Sequence, residues 1–222
     1  MACVLALVLA FALASAALAA DASSIPIGIA PVVVKMDTAT EFSAVEVSNR
    51  GDRATGIEIE LVQVKWRDGL EIYEATQDFI VSPPAFRVEA GKSRMVRFRY
   101  TGARHETEGF YRLFVRQLAE EVAGNQINMV FNLGVPIFIA PTTSHPALAL
   151  VSATGPDKPA ELRNTGNVTL TVLQLEGKSC VDGPKKVMVR LSPGQKSVLQ
   201  ADMATCATSA RTDRGLIQLL RP

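Results

Sequence analysis

Met95-Val96-Arg97-Phe98-Arg99-Tyr100 alternates with period two: Val96, Phe98 and Tyr100 share one face, Arg97 and Arg99 the other. Successive side chains of an extended chain point to opposite faces, so this is a strand with one face in a core and the other in water. The pattern spreads outward from there. Residues 110–118 (FYRLFVRQL) set Arg112 and Arg116 among apolar neighbours, and residues 42–48 (FSAVEVS) alternate up to a turn at Asn49-Arg50-Gly51-Asp52. Residues 58–65 (EIELVQVK) carry Ile59, Leu61, Val62 and Val64; Trp66 follows, then Arg67-Asp68-Gly69, a hairpin signal of the Asp-Gly type. Residues 128–139 are β-rich, and the style continues in residues 161–164, 168–175, 186–191 and 216–220. Many short strands between turns, with few helical periods, predict an all-β chain of immunoglobulin-like sandwiches. Ala140-Pro141-Thr142-Thr143-Ser144-His145-Pro146 has linker chemistry and divides the chain into residues 21–141 and 142–222.

The chain has 222 residues, 23 Lys+Arg against 22 Asp+Glu, and a net charge of +1, which argues against a nucleic-acid binder. The first 20 residues, MACVLALVLAFALASAALAA, carry no charge and end in small residues. They read as a signal peptide without the usual basic n-region, so the mature protein is expected to be exported. Cys3 falls in that segment. Cys180 and Cys206 remain, an even pair in an oxidising compartment. They read as a disulfide closing a loop of about 25 residues, worth about 3 kcal/mol in the chain-entropy model; two buried free thiols are the alternative.

Catalytic chemistry finds no support. His105 and His145, the chain's two histidines, have no partners at metal-site or triad spacing. Gly91-Lys92-Ser93 and Gly177-Lys178-Ser179 resemble P-loop ends, but Phe86 and Val172 stand where that motif needs its first glycine. Arg50-Gly51-Asp52 is explained by an exposed turn. No enzyme activity, metal, cofactor or small-molecule substrate is expected.

One stretch stands apart. In Gln126-Ile127-Asn128-Met129-Val130-Phe131-Asn132-Leu133, the residues Ile127, Met129, Phe131 and Leu133 lie at strict period two. If their face meets the domain's own core, the strand is ordinary. If it lies open at an edge, it is a hydrophobic comb able to complete another protein's sheet. Periodicity alone leaves both readings open.

Several segments resemble the periplasmic pilus-assembly chaperones of the chaperone–usher pathway, the PapD-like family. They are Val47-Ser48-Asn49 with Gly51; Ser82-Pro83-Pro84, then Phe86-Arg87-Val88-Glu89-Ala90-Gly91 and Met95-Val96-Arg97; Glu108-Gly109-Phe110-Tyr111-Arg112-Leu113-Phe114; and Val135-Pro136-Ile137-Phe138-Ile139-Ala140-Pro141. In the second half Asn164-Thr165-Gly166-Asn167, Ser192-Pro193-Gly194 and Thr212-Asp213-Arg214-Gly215 fit the family's shorter sandwich.

The resemblance implies two immunoglobulin-like sandwiches set at an angle, with a cleft between them. It implies a periplasmic chaperone that stabilises pilin-like subunits by donor-strand complementation and hands them to an outer-membrane usher. Ile127, Met129, Phe131 and Leu133 would be the donor residues, and two free copies could cap each other's donor edges. A secreted two-domain binding protein or a fibre subunit is the alternative. The family's usual carboxylate anchors are unmatched, since Val32 or Val33 and Pro136 occupy those positions. The pattern looks more like the divergent, archaic branch. Arg112, with Lys35 as helper, is the candidate anchor instead, and Arg97, Arg99 and Arg116 compete with it. Glu108 and Asp213 match family residues that hold domain orientation; their basic partner is replaced by Ala140, which leaves Arg214 or Arg112 to serve. Family turns like Pro83-Pro84 often hold a cis bond; the sequence fits a plain turn equally.

Overall fold

The computed structural model describes residues 26–67, 70–119, 129–151, 159–180, 183–200 and 205–221. The expected signal peptide, Ile127 and the hairpin residues Asp68 and Gly69 lie outside them. The first domain is built from β1 (Ile27–Ala30), β2 (Val34–Met36), β3 (Phe42–Asn49), β4 (Thr55–Arg67), β5 (Leu70–Ala75), β6 (Phe79–Ser82), β7 (Ala85–Val88), β8 (Ser93–Tyr100), β9 (Gly109–Gln117) and β10 (Asn132–Ile139). These form two facing sheets, ordered β1-β3-β8-β6 and β2-β10-β9-β4-β5, with β7 also paired to β4. Val96, Phe98 and Tyr100 point between the sheets at 0%, 2% and 5% exposure, as the alternation demands.

A ring cluster of Phe79, Phe98, Tyr100 and Tyr111 fills one end of that core, with centroids 5.0–6.1 Å apart and edge-on geometry. The Tyr111 hydroxyl donates to Asp78 at 2.8 Å. Burial, reinforced by its bonds with Tyr100 and Asp78, pushes the Tyr111 phenol far above its ordinary pKa.

The second domain comprises β11 (Leu148–Val151), β12 (Ala160–Asn164), β13 (Leu170–Glu176), β14 (Lys185–Leu191), β15 (Lys196–Leu199), β16 (Ser209–Thr212) and β17 (Gly215–Leu220). Its strands run β14-β13-β16-β17-β11-β12-β15. β17 joins the two halves, pairing antiparallel with β16 and, through Leu219 and Leu220, parallel with β11. The Cys180–Cys206 disulfide is formed. It ties the chain after β13 to the segment before β16, where a Cβ on Gly177 would collide with the Cys206 carbonyl. The cis bonds precede Pro31 and Pro83, so the turn at Pro83-Pro84 enters through Ser82–Pro83 and not between the two prolines.

Both domains use one polar device. Asn49, 2% exposed, donates to the Arg53 and Val88 carbonyls at 2.7 and 3.0 Å and accepts from the Gly51 N–H at 2.9 Å. Asn164, 0% exposed, donates to the Val168 and Leu191 carbonyls at 2.8 Å and accepts from the Gly166 N–H at 2.9 Å. Each backbone N–H then reaches the turn after a left-handed glycine: Asn49 bonds Lys92 beyond Gly91, and Asn164 bonds Gln195 beyond Gly194. A buried amide with a bond for each group staples three loops at the end of a sandwich.

Polar contacts tie the two domains together. Glu108, whose side chain is only 2% exposed, pairs with Arg214 at 3.0 Å and accepts the Thr169 N–H at 2.8 Å. Asn167 reaches back to the Glu106 and Thr143 carbonyls at 2.6 and 2.7 Å. Lys35 meets Asp213 at 3.3 Å near the surface. The expected orienting roles of Glu108 and Asp213 thus have partners in Arg214 and Lys35, while Arg112 lies elsewhere.

Two stability predictions follow from these geometries. Asn49→Ala and Asn164→Ala should each cost about 2–4 kcal/mol, because each strands buried carbonyls and an N–H. Denaturant unfolding should show the loss in both domains. Arg214→Ala, which leaves Glu108 buried without a cation, should cost about 2–4 kcal/mol, whereas Lys35→Ala at an exposed pair should cost under about 0.5 kcal/mol. Equal losses in thermal melts would show that the buried bridge does not set the interface.

Candidate functional site

β10 pairs with β9 along its whole length, from Asn132↔Arg116 to Ile139↔Gly109. On its other side β2 covers only Ile137, Phe138 and Ile139. Among the described residues, the outer backbone edge of residues 132–136 therefore has no strand partner. An unpaired edge of this length is a template for another strand.

The side chains of this strand change environment along one face. Ile139, Ile137 and Val135 are 2%, 0% and 2% exposed in the core. Leu133 is half-buried against that core, Phe131 is half-buried, and Met129 is 72% exposed. Gln117 donates its backbone N–H to the Phe131 carbonyl at 2.8 Å, extending the pairing one residue beyond β10. The alternatives of core strand and open comb describe two ends of one apolar row.

The opposite face of the same sheet forms the floor of the cleft. Trp66, Phe110 and Phe138 stack as a ladder, with centroids 6.4 and 5.0 Å apart and planes within 11°. Phe138 points away from the first-domain core yet is only 5% exposed, because the second domain closes over it. The Arg190 guanidinium, from β14, sits 5.9 Å above its ring.

Arg112 lies on β9 directly opposite Pro136. Its guanidinium grips both carboxylate oxygens of Glu71, at 2.8 and 2.9 Å, and donates to the Tyr73 hydroxyl at 2.9 Å. The Tyr73 hydroxyl in turn donates to Glu71 at 2.6 Å, the main reason its pKa lies above the ordinary phenol value. Gly134 makes room for this arrangement, since a Cβ there would stand 2.8 Å from Arg112 Cδ.

Arg112 and Lys35 are not brought into one pocket. Arg112 borders a cavity of about 180 Å³ with Trp66, Glu71, Phe110, Pro136, Phe138, Arg190, Ser192 and Gln195. Lys35 borders a crevice of about 20 Å³ with Glu108, Asp213 and Arg214. Phe138 and Arg190 line both. Of the competing arginines, Arg99 pairs with Glu41 at 3.0 Å and Arg116 with Glu60, both away from the cleft cavities. Sequence reading missed Glu71, Phe138 and Arg190. Alternation in β14 puts Arg190 on an outward face, but only the docking of the domains brings it over Phe138. No cluster of metal-ligating side chains occurs among the described residues, and no helix among them is long and apolar enough to cross a membrane.

Similar folds are known. The class 5 fimbriae chaperone CfaA superposes with a TM-score of 0.69 at 14% identity, over 88% of this chain and 99% of that one. CsuC, in a chaperone–tip adhesion subunit complex from the archaic chaperone–usher Csu pili of Acinetobacter baumannii, gives 0.59 at 16% identity over 88% and 99%. The Escherichia coli chaperone DraB gives 0.58 at 15% identity over 88% and 96%. No curated protein sequence matches the chain. Residues 26–145, which contain β10, its open edge and the aromatic floor, match the family model of the PapD N-terminal domain, and the chain therefore belongs to the family of pili and flagellar-assembly chaperones.

Proposed function

We propose that this chain works in the periplasm, holding pilin-like subunits by lending them the β10 edge and passing them to an outer-membrane usher. The unpaired edge of residues 132–136, continued by an apolar row that runs out of the core into solvent, carries the reading. A subunit lacking a strand exposes apolar core and unbonded backbone groups, and aggregates unless both are covered. A lent strand covers both at once: main-chain bonds supply affinity, while Ile127, Met129, Phe131 and Leu133 fill successive pockets. The structural neighbours described as chaperone–subunit complexes, among them CsuC–CsuE and a SafB–SafA pilin complex from Salmonella enterica, support this mode of action.

Arg112 is proposed to meet the subunit's terminal carboxylate in the cleft, without the help expected of Lys35, which pairs with Asp213 in a separate crevice. Arg112 is the closer fit, lying beside the donor strand on the aromatic floor. The exchange needs no nucleotide or metal, because the strand is displaced by a competing strand and not by chemistry. The proposal carries with it a leader at residues 1–20 and domains at residues 21–141 and 142–222. Without a subunit, the same edge is open to a second copy of the chain.

Co-expression with the pilin-like subunit of the same assembly system, followed by size-exclusion chromatography, tests the reading. Wild type should give a soluble one-to-one complex. Phe131→Asp should reduce it by about tenfold or more, since an unpaired carboxylate would enter an apolar groove. A subunit equally soluble alone, or a complex indifferent to Phe131→Asp, would return the row to the core and remove the proposal. Arg112→Ala should weaken capture more than Arg99→Ala; equal losses would reject Arg112 as an anchor.

A further inference from the structure

The apolar row leaves the sheet at Phe131, which directly precedes β10 and is half-buried; Met129, two residues further out, is 72% exposed. In a regular antiparallel ladder a hydrogen-bonded pair exchanges two main-chain bonds. Phe131 and Gln117 continue the register one step beyond Asn132↔Arg116. Half of their exchange is regular, the Gln117 N–H donating to the Phe131 carbonyl at 2.8 Å. In the other half a side chain replaces the main chain: the Phe131 N–H donates to Gln117 Oε1 at 3.4 Å. The far end of that amide, Nε2, donates at 3.2 Å to the hydroxyl of Thr55, a residue of β4 only 6% exposed. The partners fix the orientation of the amide. A backbone N–H can only donate, so the amide oxygen must face Phe131, and the Thr55 hydroxyl is free to accept from Nε2.

Resting on the chaperone reading, we propose that Gln117 is a positioning residue of the lent strand: its side-chain amide clamps Phe131 in extended form before a subunit arrives. The clamp stands on the sheet, because the next residue, Leu118, donates its N–H to the Gly56 carbonyl of β4 at 2.9 Å. Alternate residues of an antiparallel strand turn both backbone groups to the same side. With Phe131 turned toward β9, Asn132 and Gly134 present their N–H and C=O groups to the open edge. The same alternation puts Phe131 on the face of Leu133. The apolar row is thus prebuilt as far as Phe131. Ordering a residue in advance removes that cost from binding. Once a subunit groove encloses Phe131, the groove itself holds the residue, so Gln117 acts on the rate of capture more than on the rate of release.

The test uses the intact chaperone and the pilin-like subunit of its system, denatured and diluted into chaperone, with complex followed in time by size-exclusion chromatography. Gln117→Met is similar in length but offers no comparable acceptor. It should slow capture about five- to tenfold, the order expected for one residue left to be ordered on binding. Release, measured by a chase with excess tagged chaperone, should change by less than about twofold. Gln117→Glu keeps an oxygen for the Phe131 N–H, and the Thr55 hydroxyl can turn to donate, so capture should return to within about twofold of wild type. Thr55→Val should slow capture in the same direction by a smaller factor, and it replaces Gln117→Met if that variant does not fold. In the free chaperone, amide hydrogen exchange at Phe131 should quicken in Gln117→Met but not in Gln117→Glu, while exchange at Val135 stays as in wild type.

Slow capture and quick Phe131 exchange in Gln117→Met, both rescued by Gln117→Glu, would support the clamp. Equal slowing by Gln117→Met and Gln117→Glu would overturn it, since the retained acceptor would then count for nothing. A wild-type capture rate in Gln117→Met, with capture lost in Phe131→Asp, would overturn the role of Gln117 and leave the donor-strand reading intact. Indifference to both Gln117→Met and Phe131→Asp would overturn both.

Discussion

β10 must satisfy two surfaces with one register. A strand alternates strictly, so a slip of one residue would send every core side chain to the other face. Val135, Ile137 and Ile139 lock the register because they are buried between the sheets. That lock carries Leu133 onto the same face, half-buried at the margin of the core, and the apolar pattern runs on past the strand to Phe131 and Met129, the latter 72% exposed. The exposed apolar row is therefore not separately specified. It follows from an anchored strand that outruns its own core. β2 stops alongside Ile137, leaving the backbone edge open over the same length. The free hydrogen-bonding groups and the free apolar side chains coincide because one geometry produces both.

The cleft depends on a second constraint, the polar contacts between the sandwiches. A carboxylate as enclosed as Glu108 requires a cation and hydrogen bonds, and Arg214 and the Thr169 N–H supply them across the interface. These contacts set β14 against the outer face of the first-domain sheet. Phe138 becomes buried from outside, and Arg190 comes to rest over it. The buried asparagines Asn49 and Asn164 do analogous work within each sandwich, tying loop ends together by hydrogen bonds.

The local patterns carried most of the architecture. Alternation at Val96, Phe98 and Tyr100 and in residues 110–117 is a property of neighbouring residues, and strand geometry translates it directly. Short elements such as β1, β2, β6, β15 and β16 escaped notice because four residues or fewer cannot display a period. The disulfide was legible because only two cysteines lie beyond residue 20. The open edge was not: a period of two says that four side chains share a face, never what lies opposite it.

The sequence by itself determined an all-β chain and the apolar faces of its longer strands, since these depend on residue type and near spacing; it read Cys180 and Cys206 as a pair, and the family resemblance named Arg112 and Lys35. Tertiary structure alone decided the rest. It committed Arg112 to Glu71, separated it from Lys35, and set Arg190 over Phe138. Those facts join residues 41, 77 and 52 positions apart. Contacts at such separations are set by how sheets pair and domains dock, and no local pattern of side chains encodes them.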